Sequence, residues 1–457
     1  MRRCPIDPDL IAAAANRAAA YLARRGAGPV FPSDDAIAAL DALPIDLPET
    51  GLPPSEVLEL LDAVGSPATV HSTGGRYFGF VNGGTDPAAR AAAILGGAWD
   101  QNVALPVMSP AAARIDEIAA GWVRQLLRLP ETALAAFCSG ASVANLLGVV
   151  AARDALLHRL GWDVDEKGLA GSPPLRIIAG AEMHVSLVKA LRVAGIGTSA
   201  LTFADTDAWG RVRPERMPIA DERTIVVLQA GNVNTGHSDP FAELIPAVHA
   251  NGGWVHVDGA FGLWAAASDR RRHLVEGVEL ADSWATDAHK YLNAPYDAGV
   301  AICARPEDLK RAMAIDAAYV ETDAPRALMH LGLQMSQRAR ALETWAAIAA
   351  NGARGVGHLV DATSDHAARF AFALERGGAE VLAPVVLNQA LVAFGDDATT
   401  AAVIEAVQRD GTCWAGGTMW QGRKAMRISV SDRATTGDDV DVSAAAILRC
   451  WETVAAR

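Results

Sequence analysis

The strongest constraint on the fold is an alternation of short apolar segments with helical patterns between residues 134 and 303. Helical patterns at 143–157, 185–194 and 241–250 separate several of the apolar segments. The apolar segments predict strands at 134–138, 175–179, 198–203, 224–229, 254–258, 283–286 and 299–303. Short apolar strands that alternate with helices are typical of a mainly parallel sheet covered on both faces. We therefore predict an α/β fold around a mainly parallel seven-stranded sheet.

The pattern changes on either side of this region. Before it, residues 8–25 predict a helix, and residues 32–54 are rich in proline and acidic side chains. After residue 305, helices are predicted at 335–350, 358–374, 401–409 and 440–455, and strands at 390–394 and 425–430. We predict an N-terminal helical segment (1–69), a large domain (70–325) and a smaller α+β C-terminal domain (326–457).

Composition narrows the partners and the compartment. The net charge of the 457 residues is −13, and no long basic cluster occurs, which disfavours nucleic acid and anionic membrane as partners. The five cysteines are scattered, without the spacing of a metal site, which fits a reducing compartment. No signal peptide and no apolar segment long enough to span a bilayer is apparent. We expect a cytoplasmic protein.

Two chemically complementary residues follow strands of the predicted sheet. Asp258 ends the strand at 254–258, and Lys290 follows the strand at 283–286. Ligands of such sheets bind beyond the carboxyl ends of the strands. A lysine amine forms a Schiff base with an aldehyde, and a buried carboxylate keeps a ring nitrogen charged. The pair indicates pyridoxal 5'-phosphate as cofactor, although a surface lysine and a loop-capping aspartate would give the same pattern.

A small-residue turn at 139–142 follows the first strand and opens a helix. Backbone N–H groups and the helix dipole bind anions at such a position, and small residues let a phosphate approach. We predict that Gly140, Ala141 and Ser142 contact the cofactor's phosphate. The alternative is an ordinary helix N-cap without a ligand.

Two further polar residues follow predicted strands. His184, just before a helix, is placed to lie flat on the cofactor ring, or simply to cap that helix. Asn232, within the glycine-containing segment 229–236, could donate to the cofactor's phenolic oxygen, or belong to a turn. His256 and Asp258 share one strand face, but no third ligand is apparent, so no metal is predicted.

Two glycine-rich segments have other interpretations. Residues 65–86 combine glycines with three aromatic residues, which suggests backbone packed against a ligand or a partner chain, or a plain irregular loop. Residues 195–200 match the glycine spacing of a dinucleotide site but follow a helix and precede a strand. That order is the reverse of what the dinucleotide fingerprint needs.

Taken in order, these motifs resemble those of the group II pyridoxal-phosphate-dependent decarboxylases, which have the aspartate aminotransferase-like fold (fold type I). The resemblance covers roughly residues 70 to 450. The matching segments are 138–145 (CSGASVAN), 181–184 (AEMH), 231–236 (GNVNTG), 256–260 (HVDGA), 287–290 (DAHK), 338–342 (RARAL) with Trp345, 420–423 (WQGR) and 426–429 (MRIS).

The resemblance implies a role for each matching residue. Lys290 resembles the Schiff-base lysine, and Asp258 the partner of the pyridine nitrogen. The remaining implied contacts are Ala260 under the ring, His184 stacked on its other face, and Ala141, Ser142 and His289 at the phosphate. The resemblance also implies a homodimer with the active site at the interface and an N-terminal segment packed on the partner chain.

The chain departs from the family pattern in its mobile loop. The family's loop carries a tyrosine that protonates the product carbanion, whereas residues 321–334 contain none. Leu328 or a neighbour stands in its place, Tyr319 lies earlier, and His330 is another possible donor.

We therefore expect a decarboxylase that forms an external aldimine with an L-amino acid and releases its α-carboxylate as carbon dioxide. The alternative is transamination, oxidative deamination or carbon–carbon cleavage in the same site. A binding module without turnover is a third, less favoured hypothesis.

Overall fold

The computed structural model describes residues 7–24, 26, 28–315 and 326–456. Its strands are β1 (Leu134–Cys138), β2 (Arg176–Gly180), β3 (Leu201–Ala204), β4 (Thr224–Gln229), β5 (Trp254–Asp258), β6 (Ser283–Asp287), β7 (Gly299–Cys303), β8 (Glu380–Val381), β9 (Gln389–Ala393), β10 (Gly416–Trp420) and β11 (Arg423–Ser429). Its α-helices are α1 (Pro8–Ala23), α2 (Asp34–Ala38), α3 (Pro54–Leu60), α4 (Pro87–Trp99), α5 (Pro110–Leu126), α6 (Ala141–Arg159), α7 (Val164–Lys167), α8 (Val185–Val193), α9 (Phe241–Ala250), α10 (Pro306–Met313), α11 (Ala341–Arg376), α12 (Asp397–Asp410) and α13 (Gly437–Ala455). All seven strands predicted between residues 134 and 303 are present, with limits shifted by a few residues at most.

The larger sheet has seven strands in the order β1-β7-β6-β5-β4-β2-β3. Strands β6, β5, β4, β2 and β3 pair in parallel, and β7 pairs antiparallel with both β6 and β1. Strands β5, β6 and β7 are buried along their whole length, because helices cover both faces. The predicted α/β class and mainly parallel sheet are confirmed. The carboxyl ends of β5 and β6 are neighbours, which brings Asp258 and the segment before Lys290 to one edge.

Helix α6 crosses one face of this sheet and is apolar around most of its circumference. It packs against β5, β6, β7 and α8, and most of its residues from Ala144 to Leu157 are buried. A helix that is apolar on all sides belongs inside the protein rather than at its surface. Its N-terminus meets the carboxyl end of β1, so the helix dipole points at the same edge as Asp258.

The smaller sheet is antiparallel, with the order β10-β11-β9-β8. It has a core of its own, in which Phe78, Phe370 and Phe394 are fully buried. Helix α11 replaces the two helices predicted at 335–350 and 358–374, with one non-helical residue, Gly352 (φ 61°), between them. This helix packs against α4 and α5 near the large sheet and against α13 and β9 near the small one. Helix α11 thus contacts elements next to both sheets. The predicted boundaries between the three domains therefore stay a prediction.

No helix within the described ranges combines the length and apolarity needed to cross a bilayer.

Candidate active site

Asp258 lies at the end of β5 and is buried. Its Oδ2 accepts a hydrogen bond from Asn145 Nδ2 on α6 at 3.0 Å, and its Oδ1 accepts one from the backbone N–H of Ala260 at 3.2 Å. A buried carboxylate needs such donors to remain charged. One side of the carboxylate is therefore held by the chain itself, as a fixed acidic partner for a ring nitrogen requires.

Lys290 follows β6 and is about one-fifth exposed, so its amine remains accessible. Its Nζ lies 3.1 Å from Oδ2 of Asp287, a buried carboxylate at the end of the strand. The other oxygen of Asp287 accepts from the backbone N–H of Ala141 at 2.6 Å. Asp287 therefore ties the lysine to the N-terminus of α6.

The glycine-rich segment that precedes α4 packs against this lysine. A Cβ on Gly83 would collide with the carbonyl oxygen of Lys290, and one on Gly84 would collide with the carboxylate of Asp432. The hydroxyl of Tyr296 donates to Oδ1 of Asn82 at 3.0 Å. The tight backbone packing expected of residues 65–86 thus involves the chain's own Lys290 segment, and only glycine fits there.

The predicted phosphate contacts lie together at the N-terminus of α6. A Cβ on Gly299 of β7 would collide with the backbone of Gly140, so strand and turn touch directly. The side chain of Ser142 is exposed in the first helical turn. The N–H of Ala141 is occupied by Asp287 in this structure. The turn therefore offers the small residues and the helix dipole of an anion site, with a carboxylate at one of its donors.

His289 is buried beside this turn, with its ring against that of Tyr296 at a centroid distance of 4.4 Å and an interplanar angle of 33°. Its Nδ1 accepts from the backbone N–H of Ala298 at 3.2 Å, so neutral His289 carries its proton on Nε2. Burial lowers the pKa of His289, and Lys290 acts in the same direction, against Asp287. His289 is therefore a neutral N–H donor that faces Asp287, 3.5 Å away, at the predicted phosphate position.

His184 caps helix α8 at the open side of the site. Its Nδ1 accepts from the backbone N–H of Ser186 at 3.2 Å and lies 2.8 Å from the hydroxyl of that serine. Partial burial lowers the pKa of His184; the negative charge of Asp258 opposes this shift and the positive charge of Lys290 adds to it. His184 therefore does cap α8. The cap holds its exposed ring where the charges of Asp258 and Lys290 act on it.

Asn232 is buried in a turn, and its contacts in the structure are those of the turn. Its Oδ1 accepts from the N–H groups of Asn234 and Thr235, and its Nδ2 donates to the carbonyl of Glu182 at 3.3 Å. These partners use most of the side chain's capacity. A contact with the phenolic oxygen of a cofactor stays a prediction.

Three polar residues near the candidate site lacked an assignment from the sequence: Asn145, Asp287 and Arg427. Each lies inside a motif that was matched as a whole, so its position in the motif was the available signal. Arg427 lies on β11 between the buried Met426 and Ile428, and burial lowers its pKa. Its guanidinium forms no hydrogen bond or ion pair with any described residue, and its charge acts on His184. An unpaired, partly buried guanidinium is suited to an anionic ligand.

The segment after α10 is described only in part. Tyr319 and residues 321–325 lie outside the described residues. Leu328 and His330 are buried in a short 3₁₀ turn, where Nδ1 of His330 accepts from the N–H of Ile315. The Nε2 of His330 is buried without a hydrogen-bond partner among the described residues.

These residues fit pyridoxal phosphate at both ends. A buried acid, an accessible amine, a helix N-terminus with small residues and an exposed histidine share one edge of the sheet. The residues that the structure describes contain no group of three or more histidine, cysteine, aspartate or glutamate side chains that could hold a metal. Fold and site together define a pyridoxal-phosphate enzyme built on an α/β large domain.

The chain belongs to the pyridoxal-dependent decarboxylase family, because the family model "Pyridoxal-dependent decarboxylase conserved domain" matches residues 38–395. The cofactor is therefore pyridoxal phosphate, as the sequence predicted.

Curated relatives agree with this family, and a solved structure shares the fold. An aromatic-L-amino-acid decarboxylase from Bacillus atrophaeus is 26% identical over 330 residues, which is 69% of this chain and 66% of the relative. An acidic amino acid decarboxylase from Homo sapiens is 29% identical over 291 residues, 61% of this chain and 54% of the relative. These matches span less than two thirds of the relatives' own length. The Oryza sativa protein solved with PLP and tryptamine superposes with a TM-score of 0.89 at 20% identity, covering 98% of this chain and 99% of that chain.

Proposed function

We propose that the protein is a pyridoxal-phosphate-dependent carboxy-lyase that removes the α-carboxylate of an L-amino acid as carbon dioxide. The observation that carries the proposal is the convergence of Asp258 and Lys290 on one edge of the sheet, where the charges of both act on His184. The family match and the relatives named as amino acid decarboxylases support the same reaction.

When bound, pyridoxal phosphate supplies an electron sink for the bond broken at the substrate's α-carbon. The buried carboxylate of Asp258 would hold a positive charge on the ring nitrogen. Lys290 would provide the amine for the aldehyde, and Oδ2 of Asp287, 3.1 Å from its Nζ, would accept the proton that this amine must lose. His184 and Ala260 would pack against the ring, as the resemblance implies.

The phosphate is assigned to the turn at the N-terminus of α6. Gly140, Ala141 and Ser142 provide backbone donors and a hydroxyl, and His289 provides its Nε2–H. Phosphate would compete with Asp287 for the N–H of Ala141. Asn232 has the weakest support, because the turn already uses its amide.

The substrate's carboxylate is assigned to Arg427. Its unpaired guanidinium acts electrostatically on the same histidine as Asp258 and Lys290, so it lies near the proposed site. A guanidinium fixes a carboxylate by paired hydrogen bonds and so orients the α-carbon above the cofactor.

A panel of L-amino acids tests the reaction with purified, cofactor-loaded protein. Carbon dioxide and the corresponding amine in equal amounts support the proposal. Carbon dioxide with an aldehyde and ammonia would replace it with oxidative deamination, the alternative raised by the absence of tyrosine at 321–334. Conversion of the cofactor to its amine form without gas would indicate transamination.

The assembly is proposed to be a homodimer with the active site at the interface. Large apolar side chains remain exposed on α4 and in the segment after it, including Ile94, Leu95, Trp99 and Val107. Exposed apolar groups clustered on one region mark interaction surfaces. Size-exclusion chromatography with light scattering tests the dimer, and a mass equal to that of one chain would contradict it.

We also propose that the protein acts in the cytoplasm. Cys138, Cys303, Cys413 and Cys450 are free thiols in the structure. Free cysteines fit a reducing compartment. Fractionation of cells that express the tagged protein checks this.

A further inference from the structure

A chain of buried hydrogen bonds runs from the sheet to Asp258 through residues that no cofactor can touch directly. The hydroxyl of Ser283 lies 2.8 Å from Nδ1 of His256, and Nε2 of His256 lies 2.9 Å from Oδ1 of Asn145. Asn145 Nδ2 then donates to Oδ2 of Asp258 at 3.0 Å. Ser283, His256 and Asn145 are fully buried.

The direction of every proton in this chain follows from the groups at its ends. The indole N–H of Trp254 can only donate, and it donates to the hydroxyl of Ser283 at 3.0 Å. A charged Asp258 can only accept, so the amide of Asn145 must turn its NH₂ toward it and its oxygen toward His256. His256 must then carry its proton on Nε2 and accept the Ser283 proton on Nδ1. All three donors of the chain therefore point toward Asp258.

His256 stays neutral in this position. Burial lowers its pKa to about 4, and only the charge of Asp258 opposes the shift. The ring is fully buried and closely packed on one side, because a Cβ on Gly148 of α6 would collide with it. A neutral histidine with one defined tautomer is what a directional relay of hydrogen bonds requires.

Asn145 also connects the two residues assigned to the cofactor ring. The second hydrogen of its Nδ2 points to the hydroxyl of Ser186 at 3.4 Å, and that hydroxyl lies 2.8 Å from Nδ1 of His184. Both amide hydrogens are thus used, one toward Asp258 and one toward the residue that holds His184. The branch through Ser186 provides a matched control, because it leaves the contact with Asp258 intact.

We propose that Asn145, oriented by His256 and Ser283, is a positioning residue that keeps Asp258 charged and thereby keeps the shared proton on the ring nitrogen of the cofactor. The inference rests on the role proposed for Asp258. A hydrogen bond donated to a carboxylate stabilises its charged form. Without it, the proton between Asp258 and the ring shifts toward the carboxylate, and the ring loses its positive charge.

The test reads the position of that proton rather than turnover. Protein is loaded with pyridoxal phosphate labelled with nitrogen-15 in the ring, and the ring-nitrogen chemical shift is recorded. The unchanged protein should give the shift of a protonated ring. Asn145→Ala and the similarly sized Asn145→Leu should both move it toward neutral pyridine, whereas Ser186→Ala should leave it unchanged. Equal shifts for all three variants, or none for the Asn145 variants, would overturn the inference.

A cofactor analogue with CH in place of the ring nitrogen provides a second readout. The preference for pyridoxal phosphate over this analogue should fall about tenfold in Asn145→Ala, the size expected for losing a hydrogen bond to a charged group. Equal losses of affinity for both compounds would mean that Asn145 only supports the fold. An unaltered protein that binds neither compound at Lys290 would overturn the proposed function as well.

A third measurement needs no variant. Nitrogen-15 spectra of histidine-labelled, cofactor-free protein should show His256 neutral near pH 7 with its proton on Nε2. A proton on Nδ1 would reverse the chain and contradict the inference, whatever the variants show.

Discussion

The two ends of the active site are built differently. At the end proposed for the ring nitrogen, Asp258 is buried, and behind it Asn145, His256 and Ser283 form a hydrogen-bonded chain with defined donors. At the lysine and phosphate end, Lys290 and Ser142 remain accessible to solvent. The first end is complete without a ligand, whereas the second presents charges and donors that a ligand would satisfy.

This difference separates two physical tasks. A carboxylate that holds a charge on an aromatic ring must not move, so dry, directional hydrogen bonds suit it. A lysine that exchanges partners and a turn that takes up phosphate need access and freedom. Asp287 stands between the two regimes, because it is buried but contacts both Lys290 and the N–H of Ala141.

The largest expected effect on turnover is at the lysine and phosphate end. Lys290→Ala removes the amine that takes up the aldehyde, and we expect turnover to fall by about a thousandfold or more. The visible absorbance of protein-bound cofactor should change to that of free aldehyde at the same time. Lys189→Ala, an exposed lysine on α8, is the matched control and should keep both properties. A Lys290→Ala protein with the original spectrum would show that another amine holds the cofactor.

The second largest effect on turnover is expected at the Asp258 end. Asp258→Asn keeps the shape but removes the negative charge, so the ring nitrogen loses its partner, and we expect kcat to fall by about a hundredfold or more. The absorbance that depends on Lys290 should persist, because the amine is untouched. Kinetics together with spectra check this, and equal loss of kcat and of cofactor binding would show that the two ends are not separable.

Most of the fold and part of the site could be predicted from the sequence for one reason. The strands β1 to β7 are apolar and bounded by turns, so local pattern identifies them, and Asp258 and Lys290 stand where such strands end. By contrast, β8 has two residues and β10 is half exposed, so neither forms an apolar segment. The partners of Asn145 are 111 and 113 residues away in sequence, and no local pattern predicts such contacts.

The third prediction concerns the packing of helix α6 against His256, behind Asp258. Gly148→Ala places a methyl group against the ring of His256, and we expect it to lower the free energy of unfolding by about 1–3 kcal/mol. Gly121 is the matched control, since it also lies within a helix but its Cβ would meet nothing within 4 Å. Gly121→Ala should raise stability by about 0.4–1 kcal/mol. Thermal or denaturant unfolding measures both, and equal effects would show that the His256 region is not tightly packed.

The fourth prediction concerns pH. His256 has a folded-state pKa of about 4 against an ordinary value of 6.5, so the unfolded chain takes up a proton first as pH falls. The stability that neutral His256 contributes is complete above pH 6.5 and is lost between 6.5 and 4, by roughly 3 kcal/mol. Asp239, whose burial raises its pKa to about 6, acts with the opposite sign over the same range.

The contribution of His256 is therefore measured as a difference. The stability gap between the unaltered protein and His256→Gln should narrow as pH falls from 7 to 4. Cofactor-free protein should be used, so that the titration of the ligand does not contribute. A gap that stays constant with pH would mean that His256 takes up its proton while folded.

The smallest expected effect is on cofactor binding at the lysine and phosphate end. Ser142 presents an exposed hydroxyl in the first turn of α6, so Ser142→Ala should remove one contact to the phosphate and weaken cofactor binding about threefold to tenfold. Pyridoxal, which lacks the phosphate, is the internal control, and its affinity should be the same for both proteins. A weaker affinity for pyridoxal in the variant would mean that Ser142 acts on the ring or the fold. Water can replace a solvated hydroxyl at little cost. An effect on the enzyme as large as that of Asp258→Asn would therefore show that the phosphate end is as tightly organised as the Asp258 end.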